Sequence, residues 1–380
     1  DSERRWDKQA ILEILGAGDV DTADTTLTVL HKVAPDALEA LPYYQQALSH
    51  PDAEVRDMAA TMLPGIGHRS QTDVEYVEEL VRKDPEYLAA RIALLDFYFL
   101  MPSHFASARQ SRRDHILWII ANRPRCAILG MPFGFLSSVG DEDAYQQGRQ
   151  LWLDHLKRAP NDLALLSLAS HWFFQIDADL SEGFLKRGQQ LDDDPKWPKQ
   201  LGFLYRLSAN QRGVIDQEKM RRAVAEYEKA LSREGPDDDQ RHLRLQLAEA
   251  CLMLGEFDKA DSYAQHVEER SSAGNDYFDS EFLHESRLLL GKNALGRGDV
   301  DRAKAFLVKA ADVTSKGLRV SGPYMRLAKR LLEKGEKEAV LEYLRKCATV
   351  WTMPNHEIDQ WIHTIEAGGM PDFGPVALTH

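Results

Sequence analysis

Residues 287–313 read RLLLGKNALGRGDVDRAKAFLVKAADV. Two apolar blocks, 287–295 and 302–313, repeat at the helical period and are parted by Gly298-Asp299-Val300-Asp301. Glycine accepts the left-handed conformation that ends a helix, and an acidic residue can satisfy the free amides that begin the next. The stretch therefore predicts a tight helical hairpin. The same order recurs on both sides. Residues 245–254, the turn Gly255-Glu256-Phe257-Asp258 and residues 259–269 make one copy; residues 324–332, Gly335-Glu336-Lys337 and residues 338–349 make another.

Further upstream, proline marks the units. Pro85, Pro124, Pro160, Pro195 and Pro236 each follow a polar pair at the end of an amphipathic stretch, at intervals of 39, 36, 35 and 41 residues. Proline lacks the amide a helix interior needs and disfavours helical geometry in the residue before it, so a repeated stop predicts a repeated helix pair. No sustained alternating strand pattern interrupts the series, and the fold class expected is all-α.

These positions resemble the tetratricopeptide repeat family. Trp197, Leu201, Gly202 and Tyr205 match the family's first helix, with one extra residue after the tryptophan, and Ala223, Tyr227, Ala230 and Pro236 its second helix and close. Leu290, Gly291, Gly298, Ala303 and Ala310 match another unit, and Leu247, Ala248, Gly255, Phe257 and Ala260 a third. Leu327, Ala328 and Gly335 support a fourth, and Leu129, Gly130 and Ala144 a degenerate fifth. The resemblance spans residues 125–351 and implies a right-handed α-α superhelix, or solenoid, of helical hairpins. Residues 49–66, with Pro51, Val55, Arg56, Ala59 and Leu63, are similar to the second helix of a HEAT repeat. The domain expectation is a HEAT-like or irregular helical lead-in over 1–100, the array over 101–351, a capping helix over 352–366 and an irregular tail over 367–380 that can fold back into the groove.

Composition narrows the function. With 380 residues, 47 Lys and Arg against 60 Asp and Glu, the net charge is −13, which repels phosphate backbones and argues against nucleic acid. The longest apolar stretches, around 92–101 and 127–136, reach about half of a ~20-residue membrane span. Cys126, Cys251 and Cys347 are far apart among apolar neighbours and read as buried free thiols. The chain opens at Asp1, as a trimmed chain or one relieved of a signal peptide would, so cytoplasmic and exported locations both stay open.

Three departures from regularity stand out: a broken first helix at 130–135, where Pro132 sits among glycines and aromatics, a lengthened turn at 211–217, and a lengthened loop at 270–281. Family drift and a binding role are both open for them. His356, Asp359 and His363 share one helix face and form a weak metal candidate, set against a plain capping helix whose other face carries Ile358, Trp361, Ile362 and Ile365. Arg109, Arg112, Arg113, Arg123 and Arg125 form a basic patch, read as a solvated face neutralised by Asp114 and other acids or as a receptor for a carboxylate. His171-Trp172-Phe173-Phe174 reads as core. Asp192–Asp194 and Asp237–Asp239 lack the glycine and distal glutamate of a calcium loop and read as turn and helix-start residues. No nucleophile, phosphate-loop or cofactor motif appears, so no cofactor is expected.

What the resemblance implies is a non-enzymatic scaffold or adaptor whose first helices line a peptide groove. Counting from the Leu-Gly pairs places Lys199, Phe203, Arg206, Leu245, Glu249, Leu252, Lys292, Leu295, Met325 and Lys329 on that groove. The basic and apolar lining suits a protein or peptide partner with acidic residues and apolar anchors. The alternative is a small-molecule or metal binder, or a cryptic enzyme, at 130–135 or 356–363. Self-association through Trp351 and Trp361 is the third expectation.

Overall fold

The computed structural model describes residues 8–33, 37–64, 70–100, 107–211, 214–235, 239–274, 276–314, 322–351 and 356–374. Among them the chain forms nineteen α-helices, two 3-10 turns and one two-stranded ribbon, so it is all-helical as the periodicity predicts. Its packing divides into two compact units, residues 1–192 and 193–380.

The first unit comprises α1 (Lys8–Ala17), α2 (Val20–Val33), α3 (Ala37–Ala47), α4 (Ala53–Met62), α5 (Gln71–Lys83), α6 (Leu88–Leu100), α7 (Ala108–Asn122), α8 (Glu142–Arg158), α9 (Leu163–Phe173) and α10 (Ala178–Leu191). Helices adjacent in sequence pack together along most of the unit, and α1 meets α3 while α2 meets α4. In the HEAT-like stretch, Val55, Ala59 and Leu63 face the core, Asp52 caps α4, and the Arg56 guanidinium donates to the carbonyls of His50 and Pro51 at 2.6 Å. The prolines fall where the sequence places them: Pro85, Pro124 and Pro160 lie within two residues of the ends of α5, α7 and α8, and Pro195 caps the start of the helix that begins at Lys196. Pro236 lies outside the described residues.

The broken helix is broken indeed. Ala127–Gly130 and Pro132–Gly134 are 3-10 turns in the place of a first helix, touching α9 on one side and α6 on the other. Arg112 of α7 holds that irregular backbone, donating to the carbonyls of Phe133 at 3.1 Å and Phe135 at 2.7 Å.

In the second unit the helices are α11 (Lys196–Ala209), α12 (Gln217–Arg233), α13 (Arg241–Leu254), α14 (Phe257–Ala273), α15 (Asp279–Gly296), α16 (Val300–Ala310), α17 (Arg326–Glu333), α18 (Lys337–Cys347) and α19 (Glu357–Glu366). Each packs on the next, while α13 meets α15, α15 meets α17 and α16 meets α18. Neighbouring helices thus pack in order, and these three further pairings each skip one helix.

The three glycine turns share one geometry. Gly255, Gly298 and Gly335 have φ of 75°, 84° and 87°. In each the glycine amide donates three residues back, to Leu252, Leu295 and Leu332, and the following amide five residues back, to Cys251, Ala294 and Leu331. That pair of bonds satisfies carbonyls a helix end leaves open. The start of the following helix is less uniform than expected. Asp299 accepts from the Arg302 amide at 3.0 Å, but Glu256 and Glu336 make no side-chain cap. Their longer side chains reach Lys259 and Lys304 instead.

Two predicted irregular segments change character. The turn at 211–217 carries a ribbon of β1 (Asn210–Gln211) paired antiparallel with β2 (Val214–Ile215), and Asp216 then caps α12. The loop expected over 270–281 shrinks to residues 274–278 because α14 runs to Ala273 and α15 starts at Asp279. Arg241 ties the remaining loop to α15: its guanidinium donates to Asp239 at 2.7 Å, Asp276 at 3.0 Å and Asp279 at 2.5 Å and lies 4.1 Å from the Phe282 ring centre.

At the end of the chain, α19 buries Ile358, Trp361 and Ile365. The chain after it packs back on α19: Phe373 packs on Trp361, whose indole donates to the Asp372 carbonyl at 3.2 Å. Trp351 is likewise buried, against His284. Both tryptophans pack in the chain's own core.

Candidate functional site

The first helices of the second unit carry an unusual load of charge. α15 is buried nearly all round, yet it bears Asp279, Glu281, His284, Glu285, Arg287 and Lys292. Buried ionisable groups are tolerated when paired or hydrogen-bonded, and most of these are. Arg287 donates to Glu268 of α14 at 3.0 Å and to the Lys309 and Asp312 carbonyls at 3.0 and 2.9 Å. Burial opposes ionisation of Glu268, but its hydrogen bonds to Lys309 and Arg287 prevail and hold the carboxyl below its ordinary range. Tyr324 places its hydroxyl 3.0 Å from Glu281 and 2.9 Å from Glu285.

His284 is enclosed by Tyr324, Tyr343 and Trp351. Its Nδ1 lies 2.8 Å from the Ala310 carbonyl, and its Nε2 faces the Tyr324 amide at 3.3 Å. A carbonyl takes a proton and an amide gives one, so the network assigns the neutral ring with hydrogen on Nδ1. Burial pushes its pKa down to about 4, and it stays neutral.

Lys292 is the exception. It is 8% exposed, and among the described residues its ammonium has neither ion pair nor hydrogen bond. Burial, followed by the charges of Arg326 and Arg330, pushes its pKa down to about 8, against the opposing pull of Glu249 and Glu285. It lines two cavities. One, of about 160 Å³, is walled by Arg206, His242, Glu249, Glu285 and Tyr324. The other, of about 440 Å³, is walled by Glu249, Leu252, Met253, Phe257, Arg326 and Arg330. Glu249 is already engaged by Arg206 at 3.1 Å, so the second cavity holds three cations without a carboxylate of its own to spare.

The residues expected on a groove are distributed as follows. Arg206, Leu245, Glu249, Leu252 and Lys292 line these two cavities. Phe203 is exposed beside Arg206, its ring 5.5 Å from the guanidinium. Lys199 is paired with Glu234 at 2.6 Å, and Lys329 is exposed. Leu295 and Met325 lie in the hydrophobic core. The count from the Leu-Gly pairs missed Arg326 and Arg330, one turn apart on α17, along with Glu285 and Tyr324. Glu285 and Lys292 are seven residues apart on α15, a spacing that puts both on one face and was legible in the sequence.

Other candidates resolve differently. His356 takes a left-handed φ of 54° before α19; it and Asp359 are exposed, 3.6 Å apart. Among the described residues no three His, Cys, Asp or Glu side chains gather as a metal ion would need. The basic patch is dismantled into separate pairs, Arg113 with Asp141, Arg123 with Glu86 and Arg125 with Asp162; Asp114 accepts from Gln110 rather than from an arginine. Trp172 and Phe173 are core, with the Trp172 ring stacked on Tyr145 at 5.1 Å. Asp194 caps the turn into α11 by accepting from the Lys196 amide. Of the thiols, Cys251 and Cys347 are buried and Cys126 half-buried; burial raises all three above the ordinary thiol range. No described helix is long and apolar enough to cross a membrane.

Neither a comparison with protein-family models nor one with curated proteins finds a match for this chain.

Proposed function

We propose that the hairpins of the second unit form a right-handed, tetratricopeptide-like array, and that the face of α11, α13, α15 and α17 is a groove for a partner protein. In this reading the chain is a non-enzymatic scaffold. Its occupant is an extended or helical segment carrying acidic residues and apolar anchors. The observation that supports this most is the cavity beside Lys292, Arg326 and Arg330, a cationic depression with Leu252, Met253 and Phe257 on its walls in a chain of net charge −13. Local charge of opposite sign to the whole selects partners, and apolar walls supply affinity once the charges have oriented them.

Selection from a random peptide library on the full chain tests this. Peptides combining Asp or Glu with large apolar residues are expected to be enriched, and Arg330→Glu is expected to abolish their binding while leaving the helical circular dichroism unchanged. Enriched peptides without acidic residues, or binding indifferent to Arg330→Glu, would count against the groove.

A second reading, small-molecule binding, draws on the 160 Å³ cavity beside Lys292 and on the broken helix. At the broken helix a cavity of about 400 Å³ is lined by Phe99, Arg112, Pro132 and Phe135, with Arg112 donating to the Phe133 and Phe135 carbonyls.

A further inference from the structure

We propose that Lys292 is a nucleophilic amine that captures small anionic carbonyl compounds of the 2-oxo acid type as an imine, with Arg326 and Arg330 gripping the acid group. A lysine more than nine-tenths buried ordinarily has a carboxylate or a ring of carbonyls around its ammonium. Among the described residues Lys292 makes neither ion pair nor hydrogen bond, Glu249 and Glu285 acting on it through their charge alone, and it opens instead on the two cavities. Its environment suits the neutral amine. Burial comes first, and the two α17 arginines add to it, bringing the amine to about 8, where a useful fraction is unprotonated near neutral pH.

The surroundings supply the remaining chemistry. The Nζ lone pair adds to the carbonyl carbon while the π pair moves to oxygen, giving a carbinolamine. The oxygen then departs as water with the two amine protons, leaving C=N; Glu285, on the wall of the smaller cavity, is the carboxylate to relay those protons, Glu249 being engaged by Arg206. No oxidant or reductant enters. A neutral carbonyl compound would leave Arg326 and Arg330 uncompensated, whereas a carboxylate adjoining the carbonyl would pair with them. This chemistry does not depend on a peptide occupying the same face.

The test is reductive trapping on the full chain with glyoxylate and sodium cyanoborohydride, read by peptide mass spectrometry across pH. Lys292 is expected to be the fastest lysine modified, with a half-maximal rate near pH 8. With both aldehydes compared well above pH 8, where the amine is neutral with or without Arg330, Arg330→Gln is expected to slow glyoxylate labelling by about tenfold, the loss of one charge-assisted contact, and to leave propionaldehyde labelling unchanged. Labelling of Lys292 no faster than that of exposed Lys329 overturns the nucleophile; an Arg330→Gln effect that is absent or equal for both aldehydes overturns the anionic specificity.

Discussion

Gly202 of α11 lies against the ring of Tyr227 of α12, so close that a Cβ at 202 would fall 2.5 Å from Cδ1 and 2.7 Å from Cε1. Tyr227 is fully buried, so its ring could withdraw only by repacking the core around it. Alanine elsewhere in a helix would gain about 1 kcal/mol over glycine; here the overlap reverses the sign. Gly202→Ala is expected to destabilise the second unit by ~1–3 kcal/mol in urea denaturation. An unchanged or raised midpoint would mean that α11 and α12 do not cross this closely.

Arg241 holds Asp239, Asp276 and Asp279 together at the start of α15. Its removal leaves the largely buried Asp279 without its cation. Arg241→Gln is expected to cost about 3 kcal/mol and to speed amide exchange over the first turn of α15. Adding Asp279→Asn is expected to restore part of the loss, and the absence of any rescue would place the effect elsewhere.

The pH dependence follows from His284. With a folded pKa near 4 against an unfolded value near 6.5, the unfolded chain binds the proton first as pH falls. Stability due to this residue is complete above about 6.5 and is lost progressively down to about 4, by on the order of 3 kcal/mol. The difference in unfolding free energy between the wild type and His284→Asn, measured from pH 7 to 4, is expected to show that slope; a flat difference would mean that the imidazole is hydrated.

Lys292 works in the same sense at alkaline pH, its folded pKa also lying below the unfolded one, so that stability rises with pH. An ammonium buried without a partner costs the fold roughly 3 kcal/mol at pH 7, judged from its shift. Lys292→Met is expected to raise the unfolding midpoint at pH 7. The advantage should fade between pH 8 and 10.5, where the wild-type amine is neutral in the folded state while the unfolded chain still binds the proton. A variant no more stable than wild type at pH 7 would imply a partner for the ammonium.

The hairpins were legible because their signals are local. A glycine followed by an acidic residue, a proline after a polar pair and small residues at helix crossings act within a few positions, and Gly255, Gly298 and Gly335 behave alike in the fold. The ends of the 270–281 segment were not legible, since its Ser, Gly and Asn pointed to a loop while Arg241, more than thirty positions upstream, draws Asp276 and Asp279 together. The register of α17 was missed for a related reason: Met325 turns into the core, and Arg326 and Arg330 take the outward positions. That Lys292 lacks a partner is a property of everything around it, and no reading of neighbours in sequence reaches it.

The binding face is tested most directly by placing a photo-crosslinking benzoylphenylalanine at Phe203, exposed on the α11 face, and separately at Tyr76, exposed on α5 of the other unit. With a peptide selected on the full chain, crosslinking is expected at position 203 and not at 76. Crosslinking at 76 alone, or equally at both, would contradict a groove on the first helices of the second unit.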